Sequence, residues 1–292
     1  MDIFLTGATG YIGSAVADAL IRAGHTVNGL ARSDEAAGQL HFKGVATHRG
    51  DLRSPSSLTG AASTLDGVIH TGTTNDGSVD LEAIRAMLDA LSGSLKPFVY
   101  TSGVWVLGNT GDMPADESSP LNPSALVAWR PAVERMVLES VQRGVRAIVI
   151  RPGLVYGRGG GIPAELAKSA RENGAARYVG TGQNRWPMID VDDLADLYLR
   201  ALERAPAGTL LHAVDDSSHS VQEIAEAASA GAGSAGRTES WPLDAAREIL
   251  GSYADALVLD QRVSNAKATS LLGWKPRAAG VLEDLRCGSY AS

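Results

Sequence analysis

Cysteine, excess positive charge and long apolar runs are all scarce in this sequence of 292 residues. Its single cysteine, Cys287, excludes an internal disulfide, and we interpret it as an inert thiol near the C-terminus. The formal net charge of -7 argues against a nucleic-acid partner, because proteins that bind the phosphate backbone carry clustered basic residues. No apolar run approaches the roughly 20 residues that cross a bilayer, and residues 1–6 lack the basic start of a secretion signal. We therefore expect a cytoplasmic globular protein without a membrane partner.

Metal ligands are not grouped in any recognisable pattern either. The six histidines show no spacing typical of a metal site. Acidic residues do gather at Asp190, Asp192, Asp193 and Asp196. We interpret the last three as residues in the first turns of a helix, where the helix dipole stabilises a carboxylate. The sequence therefore predicts no metal site.

Short apolar runs alternate with amphipathic segments along the first half of the chain. Val- and Ile-rich runs of this length are typical of strands that are buried on both faces. Strands are predicted at 2–6, 26–31, 44–48, 67–70, 97–102 and 145–151, with helices at 11–23, 81–91 and 125–141. Strand–helix–strand repetition predicts an α/β fold, a doubly wound parallel sheet of the Rossmann type.

The regular alternation weakens after residue 151. The patterns there predict helices at 162–171, 191–202, 221–230, 243–250 and 264–272, and strands at 177–179 and 209–213. Residues 229–238 are small and polar, which predicts a loop or a mobile link. We divide the chain into a dinucleotide-binding domain at 1–155 and a smaller C-terminal α/β substrate lobe at 156–292, some segments of which return to the first domain.

Three glycines follow the first predicted strand at G-x-x-G-x-x-G spacing and open the first helix. Glycine permits a tight turn and lets backbone N–H groups approach a pyrophosphate, whose charge the helix N-terminus favours. The surrounding strand and helix are the context that this motif requires. The turn predicts cofactor contacts from Gly7, Thr9, Gly10, Tyr11, Ile12 and Gly13.

The end of the second strand indicates which dinucleotide is bound. An NAD-binding protein places Asp or Glu here to hold the ribose 2′-hydroxyl. This chain has Ala31, Arg32 and Ser33 instead. A guanidinium pairs well with a 2′-phosphate, and a serine adds a second donor. Arg32 and Ser33 therefore favour NADP(H) over NAD(H).

An ordered series of motifs resembles the short-chain dehydrogenase/reductase superfamily, in its extended branch of NAD-dependent epimerase/dehydratase-like proteins. The motifs are TGATGYIG at 6–13, GDL at 50–52, VIHTG at 68–72, FVYTSGVWVLG at 98–108, RPGLVYGRG at 151–159, WPMIDVDDLA at 186–195 and LLGWKP at 271–276. The resemblance implies an NAD(P)-dependent oxidoreductase. It places Asp51 and Leu52 beside the adenine, Thr71, Gly72 and Thr73 along the cofactor, and Thr101 and Ser102 beside the nicotinamide.

The catalytic part of the sequence departs from the family pattern. Such enzymes carry a Ser or Thr after the fifth strand and a Tyr-x-x-x-Lys motif on the next helix, in which the tyrosine donates a proton. Here Gly103 stands at the serine position, Trp129 at the tyrosine position and Val133 at the lysine position. An indole N–H donates a hydrogen bond but is no proton source near neutral pH. The chain is therefore an atypical member, and the usual acid is absent.

Other donors must stabilise the negative charge that hydride transfer to a carbonyl creates. The candidates are the hydroxyls of Ser102, Thr101 and Tyr156, assisted by Arg130 or a bound water. Pro131 disfavours a helical Arg130, so we expect the helix to kink or restart there. A substrate that needs no enzymic acid is the other option, and we hypothesise an imine or a conjugated carbonyl.

Substrate contacts are expected from large and polar side chains near the cleft. The loop at 180–187 combines glycines with flat and polar side chains, as in many ligand sites. The candidates for substrate binding are Trp105, Trp129, Asn184, Arg185 and Trp186.

Two other functions stay open at the level of sequence. One is an NADP-binding regulator without turnover, similar to the NmrA-like relatives of the superfamily, which the loss of Tyr and Lys favours. The other is an epimerase or isomerase that uses its bound cofactor. The fold alone does not decide among these functions. Related proteins pair through the helices that correspond to 81–91 and 125–141, which predicts a homodimer.

Overall fold

Seven parallel strands form the central sheet of the protein in the computed structural model, which describes residues 1–291. The strands of the whole chain are β1 (Asp2–Thr6), β2 (Thr26–Ala31), β3 (Ala46–Arg49), β4 (Gly67–His70), β5 (Pro97–Thr101), β6 (Arg146–Pro152), β7 (Leu154–Tyr156), β8 (Ala176–Val179), β9 (Arg185–Trp186), β10 (Met188–Asp190), β11 (Thr209–Ala213), β12 (His219–Ser220) and β13 (Thr238–Trp241). The central sheet has the order β11-β6-β5-β4-β1-β2-β3. The predicted doubly wound parallel sheet is thereby confirmed.

Helices cover both faces of this sheet. They are α1 (Tyr11–Arg22), α2 (Asp34–Phe42), α3 (Ser56–Thr64), α4 (Gly77–Ala90), α5 (Arg130–Glu139), α6 (Gly161–Asn173), α7 (Val191–Arg204), α8 (Val221–Gly231), α9 (Leu243–Leu250), α10 (Ser252–Leu257), α11 (Ala266–Leu272) and α12 (Val281–Cys287). No helix among residues 1–291 is both long enough and apolar enough to cross a membrane.

Alternate side chains of the central strands build two separate cores. Ile3 and Leu5 of β1 pack with Leu20 of α1 and with α7, whereas Phe4 packs on the other face with Ile84 of α4. Successive side chains of a strand point to opposite faces, so a continuous apolar run supplies both layers. Complete burial of one such side chain contributes about 1.5–3 kcal/mol to folding.

The order of the strands reverses between β1 and β4, which are neighbours in the sheet. The chain runs from β1 outward to β2 and β3, and then returns to β4 on the other side. In open α/β sheets the crevice beyond the carboxyl ends of the strands at such a reversal is the usual ligand site. Thr6 and His70 are the last residues of these two strands and mark the crevice.

A third core belongs to the C-terminal part of the chain. It is formed by side chains such as Tyr156, Leu166, Ile224 and Leu285, from β7, α6, α8 and α12. Three two-stranded sheets frame it: β7 with β10, β8 with β13, and β9 with β12. Strand β11 pairs with β6 at the edge of the central sheet. Helix α7 packs on the face of this sheet that carries Ile3 and Leu5 of β1.

Local signals placed the helix ends well where a proline or a cap is present. The segment predicted as one helix at 125–141 is a short 3₁₀ turn followed by α5, which begins at Arg130 with Pro131 in its first turn. The restart predicted from Pro131 is confirmed. At the start of α7, the Asp190 side chain accepts hydrogen bonds from the N–H groups of Asp192 and Asp193, as expected of a helix cap.

The segment at 229–238 was predicted only in part. We expected a loop or a mobile link, and residues 232–237 do form a turn, but α8 extends to Gly231 and β13 begins at Thr238. Between them Ser234 is 6% exposed, and its hydroxyl donates to the carbonyl oxygen of Ala170 at 2.8 Å. This bond attaches the turn to α6, a contact that composition alone did not reveal.

Candidate cofactor and substrate site

The glycine turn after β1 is packed so closely that only glycine fits at two of its positions. Gly7 has φ +72°, and a Cβ there would lie 2.7 Å from the backbone N of Gly72. A Cβ at Gly13 would lie 2.1 Å from the carbonyl oxygen of Gly7 and 2.6 Å from the Thr71 hydroxyl. Gly10 precedes α1 and provides no capping side chain. The first N–H groups of α1 are therefore left for an anionic ligand.

A cavity of about 440 Å³ lies over this turn. It gathers most of the residues that the sequence assigned to the cofactor: Gly7, Thr9, Gly10, Arg32, Asp51, Leu52, Thr71, Gly72 and Thr73. The other lining residues are Leu30, Ala36, Gly50, Arg53 and Thr74. These residues come from the carboxyl ends of four neighbouring strands, as a dinucleotide site on this fold requires.

Five predicted cofactor residues do not line this cavity: Gly13 lies within the turn, Thr101 is described below, and Tyr11, Ile12 and Ser33 have other contacts. Ser33 is the N-cap of α2, and its hydroxyl accepts the N–H of Ala36 at 3.2 Å. The Tyr11 hydroxyl donates to the carbonyl oxygen of Gly157 at 2.6 Å. Ile12 lines a second cavity, described below.

Buried polar contacts hold the loop that follows β4. His70 is 1% exposed and hydrogen-bonded to Thr6 at 2.7 Å, and burial lowers its pKa to about 4. The ring is therefore neutral near pH 7. Asp80 of α4, also 1% exposed, accepts hydrogen bonds from the hydroxyls of Thr73 and Thr74. These contacts fix the backbone that forms one wall of the first cavity.

The sequence analysis missed one residue of this cavity wall, Arg53, and one that supports it, Asp80. Arg53 lines the cavity together with Arg32 and follows the predicted adenine contacts Asp51 and Leu52. Its place directly after the GDL motif was the available signal. Asp80 had a weaker signal, a carboxylate in the first turn of a helix that Asp76 caps.

A second cavity of about 310 Å³ adjoins the first turn of α1. It is lined by Ile12, Asn75, Ser102, Gly103, Val104, Trp105, Leu126, Val127, Trp129, Arg130, Pro152, Gly153, Leu154, Val155 and Ile162. Most of these side chains are apolar, and Arg130 is the only charged one. Four predicted catalytic or substrate-binding residues meet here: Ser102, Trp105, Trp129 and Arg130.

Arg130 is held between β5 and an aromatic ring. Its Nη1 donates to the carbonyl oxygen of Ser102, and its guanidinium lies over the Trp129 ring at 5.3 Å from the centroid. A Cβ at Gly77 would lie 2.6 Å from the Trp129 ring, so the indole packs directly on the start of α4. Trp129 thus orients the guanidinium of Arg130 in the wall of the second cavity.

Another residue of α5, Val133, faces the core and not the second cavity. Val133 is 1% exposed and packs in the core between the sheet and α5. Arg130 is therefore the charged group that α5 contributes to the second cavity.

Two predicted catalytic hydroxyls do not reach either cavity. Tyr156 is 1% exposed, and its hydroxyl donates to the carbonyl oxygen of Ala279 at 2.8 Å. The Thr101 hydroxyl is hydrogen-bonded at 2.6 Å to that of Tyr198, which is fully buried under the sheet. Neither residue lines a cavity. This placement corrects the expectation that Tyr156 and Thr101 act on the substrate.

The polar side chains of the loop at 180–187 also bond to backbone groups and do not line the cavity. The Asn184 amide donates to the carbonyl oxygens of Leu257 and Leu259, and the Trp186 indole donates to that of Leu257 at 3.0 Å. The Arg185 guanidinium donates to the carbonyl oxygen of Ser218. Asn184, Arg185 and Trp186 hold the C-terminal segments together, which corrects their assignment as substrate contacts.

Comparisons with known proteins agree with this arrangement. The model of the NAD dependent epimerase/dehydratase family matches residues 3–212. An uncharacterized protein of Saccharomyces cerevisiae is 35% identical in an alignment of 300 positions, which covers 98% of each chain. An NAD(P)H azoreductase of Xenophilus azovorans is 27% identical over 255 residues, which are 85% of this chain and 80% of the azoreductase.

The same fold is found in a crystal structure of UDP-glucose 4-epimerase from Thermus thermophilus in complex with NAD. The two structures align with a TM-score of 0.81 over 99% of each chain, at 21% sequence identity. From the glycine turn, the order of the strands and these matches, we conclude that the chain belongs to the NAD dependent epimerase/dehydratase family, within the short-chain dehydrogenase/reductase superfamily.

Proposed function

We propose that this protein is an NADPH-dependent oxidoreductase that reduces a small, largely apolar carbonyl compound. The proposal depends on one observation, the placement of the two cavities beside each other at the first turn of α1. Gly10 lines the cavity over the glycine turn, and Ile12, two residues later, lines the cavity that holds Ser102 and Arg130. The similarity to an NAD(P)H azoreductase supports a reaction that consumes a reduced cofactor.

The residues of the second cavity suit an acceptor that gains negative charge on oxygen. A reduced nicotinamide supplies a hydride when it is bound. Arg130 provides a fixed positive charge, and a guanidinium is not deprotonated in proteins. A positive charge that is already in place stabilises a developing oxyanion without reorganisation. Since Arg130 would repel a protonated imine, the cavity favours a carbonyl over the imine that the sequence also allowed.

Absorbance of NADPH at 340 nm, followed against ketones, conjugated enones and imines, tests the proposed reaction. We expect turnover with at least one carbonyl class. Stoichiometric binding of NADPH without turnover of any acceptor would favour the NADP-binding regulator. Isomerisation of a substrate without net consumption of cofactor would favour the epimerase. The homodimer and the cytoplasmic location stay predictions of the sequence.

Replacement of Arg32 by alanine should weaken NADPH much more than NADH. Arg32 and Arg53 bring two positive charges to the first cavity, against one negative charge from Asp51. A hydrogen bond to a charged group contributes about 1.5–3 kcal/mol, which corresponds to about a 10- to 100-fold change in Kd. Titration of intrinsic fluorescence with each cofactor measures this effect. An equal loss for both cofactors would contradict a 2′-phosphate contact, and Arg22→Ala, at the exposed end of α1, is the matched control.

The maximal rate of reduction should be nearly independent of pH between 7 and 9. Arg130 interacts electrostatically with His70, Tyr100 and Tyr198. Burial lowers the pKa of His70 to about 4 and raises the pKa values of both tyrosines above their ordinary value, so all three stay neutral in this range. We expect kcat to change less than about twofold. A tenfold fall per pH unit above a midpoint in this range would reveal a titrating acid and contradict the expectation.

A further inference from the structure

Unpartnered donors are concentrated around the second cavity. Among residues 1–291, seven buried side-chain polar atoms have no hydrogen-bond partner. Three of them, the Ser102 hydroxyl, the Trp105 Nε1 and the Arg130 Nε, belong to residues that line this cavity. A buried polar group without a partner is costly and rare in a native protein. Three around a single cavity indicate a ligand that accepts hydrogen bonds.

The chemistry of the three donors defines that ligand further. An indole N–H and a guanidinium N–H donate only, and neither gives up its proton near neutral pH. No carboxylate lines the cavity, and the remaining wall is mainly apolar. The site therefore suits an apolar molecule with an anionic oxygen and offers no proton to neutralise it.

Contacts with the backbone and with a neighbouring ring hold these three residues in place. Ser102 directly follows β5, and its N–H donates to the carbonyl oxygen of Ile150 at 2.8 Å. Trp105 lies on the 3₁₀ turn that follows, with its ring edge-on to Tyr253 at 6.1 Å between centroids. Arg130 reaches the same segment through its bond to the Ser102 carbonyl oxygen. Donors that are fixed before a ligand arrives stabilise its charge most effectively.

We propose that Ser102, Trp105 and Arg130 form an oxyanion site for delocalised oxygen anions, and that the substrate is a small apolar α,β-unsaturated carbonyl compound. This inference rests on the proposed reductase function. The β-carbon of the acceptor takes the hydride that the reduced nicotinamide gives up. The π pair of the C=C bond becomes the bond between the α-carbon and the carbonyl carbon, the π pair of the carbonyl moves to the oxygen, and the three donors hold the resulting enolate. The α-carbon then takes a proton from water, which leaves hydroxide to the solvent.

The oxygen of an enolate is a weaker base than the oxygen of the alkoxide formed from a simple ketone. An alkoxide needs an acid to protonate it as it forms, and the tyrosine that does so in the family is Trp129 here. An enolate survives until water protonates it. The cavity lacks an acid that could give up a proton, but it has fixed groups that donate hydrogen bonds. Both features point to the same class of acceptor.

Binding of a stable phenolate tests the site without any turnover. Protein saturated with NADPH is dialysed to equilibrium against 4-nitrophenolate, and separately against 4-nitroanisole, a neutral molecule of similar shape. We expect the phenolate to bind about tenfold more tightly or better, as charge-assisted hydrogen bonds require. The midpoint of phenol ionisation, read from absorbance at 400 nm, should also fall on binding. Equal affinity for the two probes would overturn the inference.

Variants identify which residues carry the preference. Trp105→Phe keeps the shape of the ring but removes its donor, and Arg130→Met removes the charge; both should reduce the preference at least about threefold. Trp241→Phe and Arg177→Met, which change a similar stacked pair outside the cavity, should not. A preference that persists in Trp105→Phe would remove Trp105 from the site. If NADPH turnover occurs with no phenolate preference, the oxyanion site is refuted while the reductase function stands.

Discussion

Replacement of Gly13 by alanine is expected to abolish measurable binding of NADPH. The new Cβ would lie 2.1 Å from the carbonyl oxygen of Gly7, and backbone at this position cannot move without changing the turn. The backbone of Gly7 has little room to move away, because it already packs closely against the backbone of Gly72. The N–H groups at the start of α1 would therefore be displaced from the pyrophosphate. We expect Kd to rise more than about 100-fold, which corresponds to a loss of about 2.7 kcal/mol or more.

Gly60→Ala is the matched control for this change. Gly60 lies in α3, and a Cβ there would meet nothing within 4 Å. Alanine in a helix is favoured over glycine by roughly 0.5–1 kcal/mol, so this variant should be slightly more stable and bind NADPH normally. Circular dichroism separates loss of the site from loss of the fold. A folded Gly13→Ala protein whose Kd stayed within threefold of the parent would show that the dinucleotide does not bind at this turn.

The central sheet and the glycine turn could be predicted because their causes are local. Strands such as β1 and β4 are short apolar runs. Gly7, Gly10 and Gly13 form the glycine turn within the nine residues from 5 to 13. Periodicity and turn chemistry need no knowledge of distant contacts. The start of α5 at Arg130 also has a local cause, because Pro131 lacks the N–H that an interior helical residue needs and is favoured in the first turn.

The second cavity could be predicted only in part, because its walls come from distant segments. Tyr156 looked available for catalysis, but its partner is the carbonyl oxygen of Ala279, 123 residues later. Asn184 and Trp186 donate to carbonyl oxygens more than 70 residues away. A motif shows which side chains are polar, but not which backbone group satisfies them in the fold. What the sequence did indicate was the loss of the acid at Trp129.

Removal of the Arg151 side chain is expected to be the most destabilising single change outside the glycine turn. Arg151 and Glu134 are each 3% exposed and form a two-pronged ion pair, with the Arg151 Nε at 2.9 Å from Glu134 Oε1. Arg151→Met would leave a buried carboxylate without a counter-charge, which costs about 3–5 kcal/mol. His212, 3.3 Å from Arg151, is a poor replacement for the charge, because burial is the main cause that lowers its pKa and remains in the variant. A typical domain has only about 5–15 kcal/mol of stability in total.

Unfolding in urea measures the cost, and a double variant tests its cause. If the penalty comes from the unpaired carboxylate, Glu134→Leu combined with Arg151→Met should recover most of the lost free energy, since apolar side chains of similar volume often replace a buried pair without loss. Arg143→Met breaks an exposed pair with Asp89 and should cost less than about 1 kcal/mol. An Arg151→Met variant no less stable than Arg143→Met would refute the argument. Because Arg151 directly precedes Pro152 and Gly153 in the wall of the second cavity, the same pair also anchors the strand that shapes the proposed substrate site.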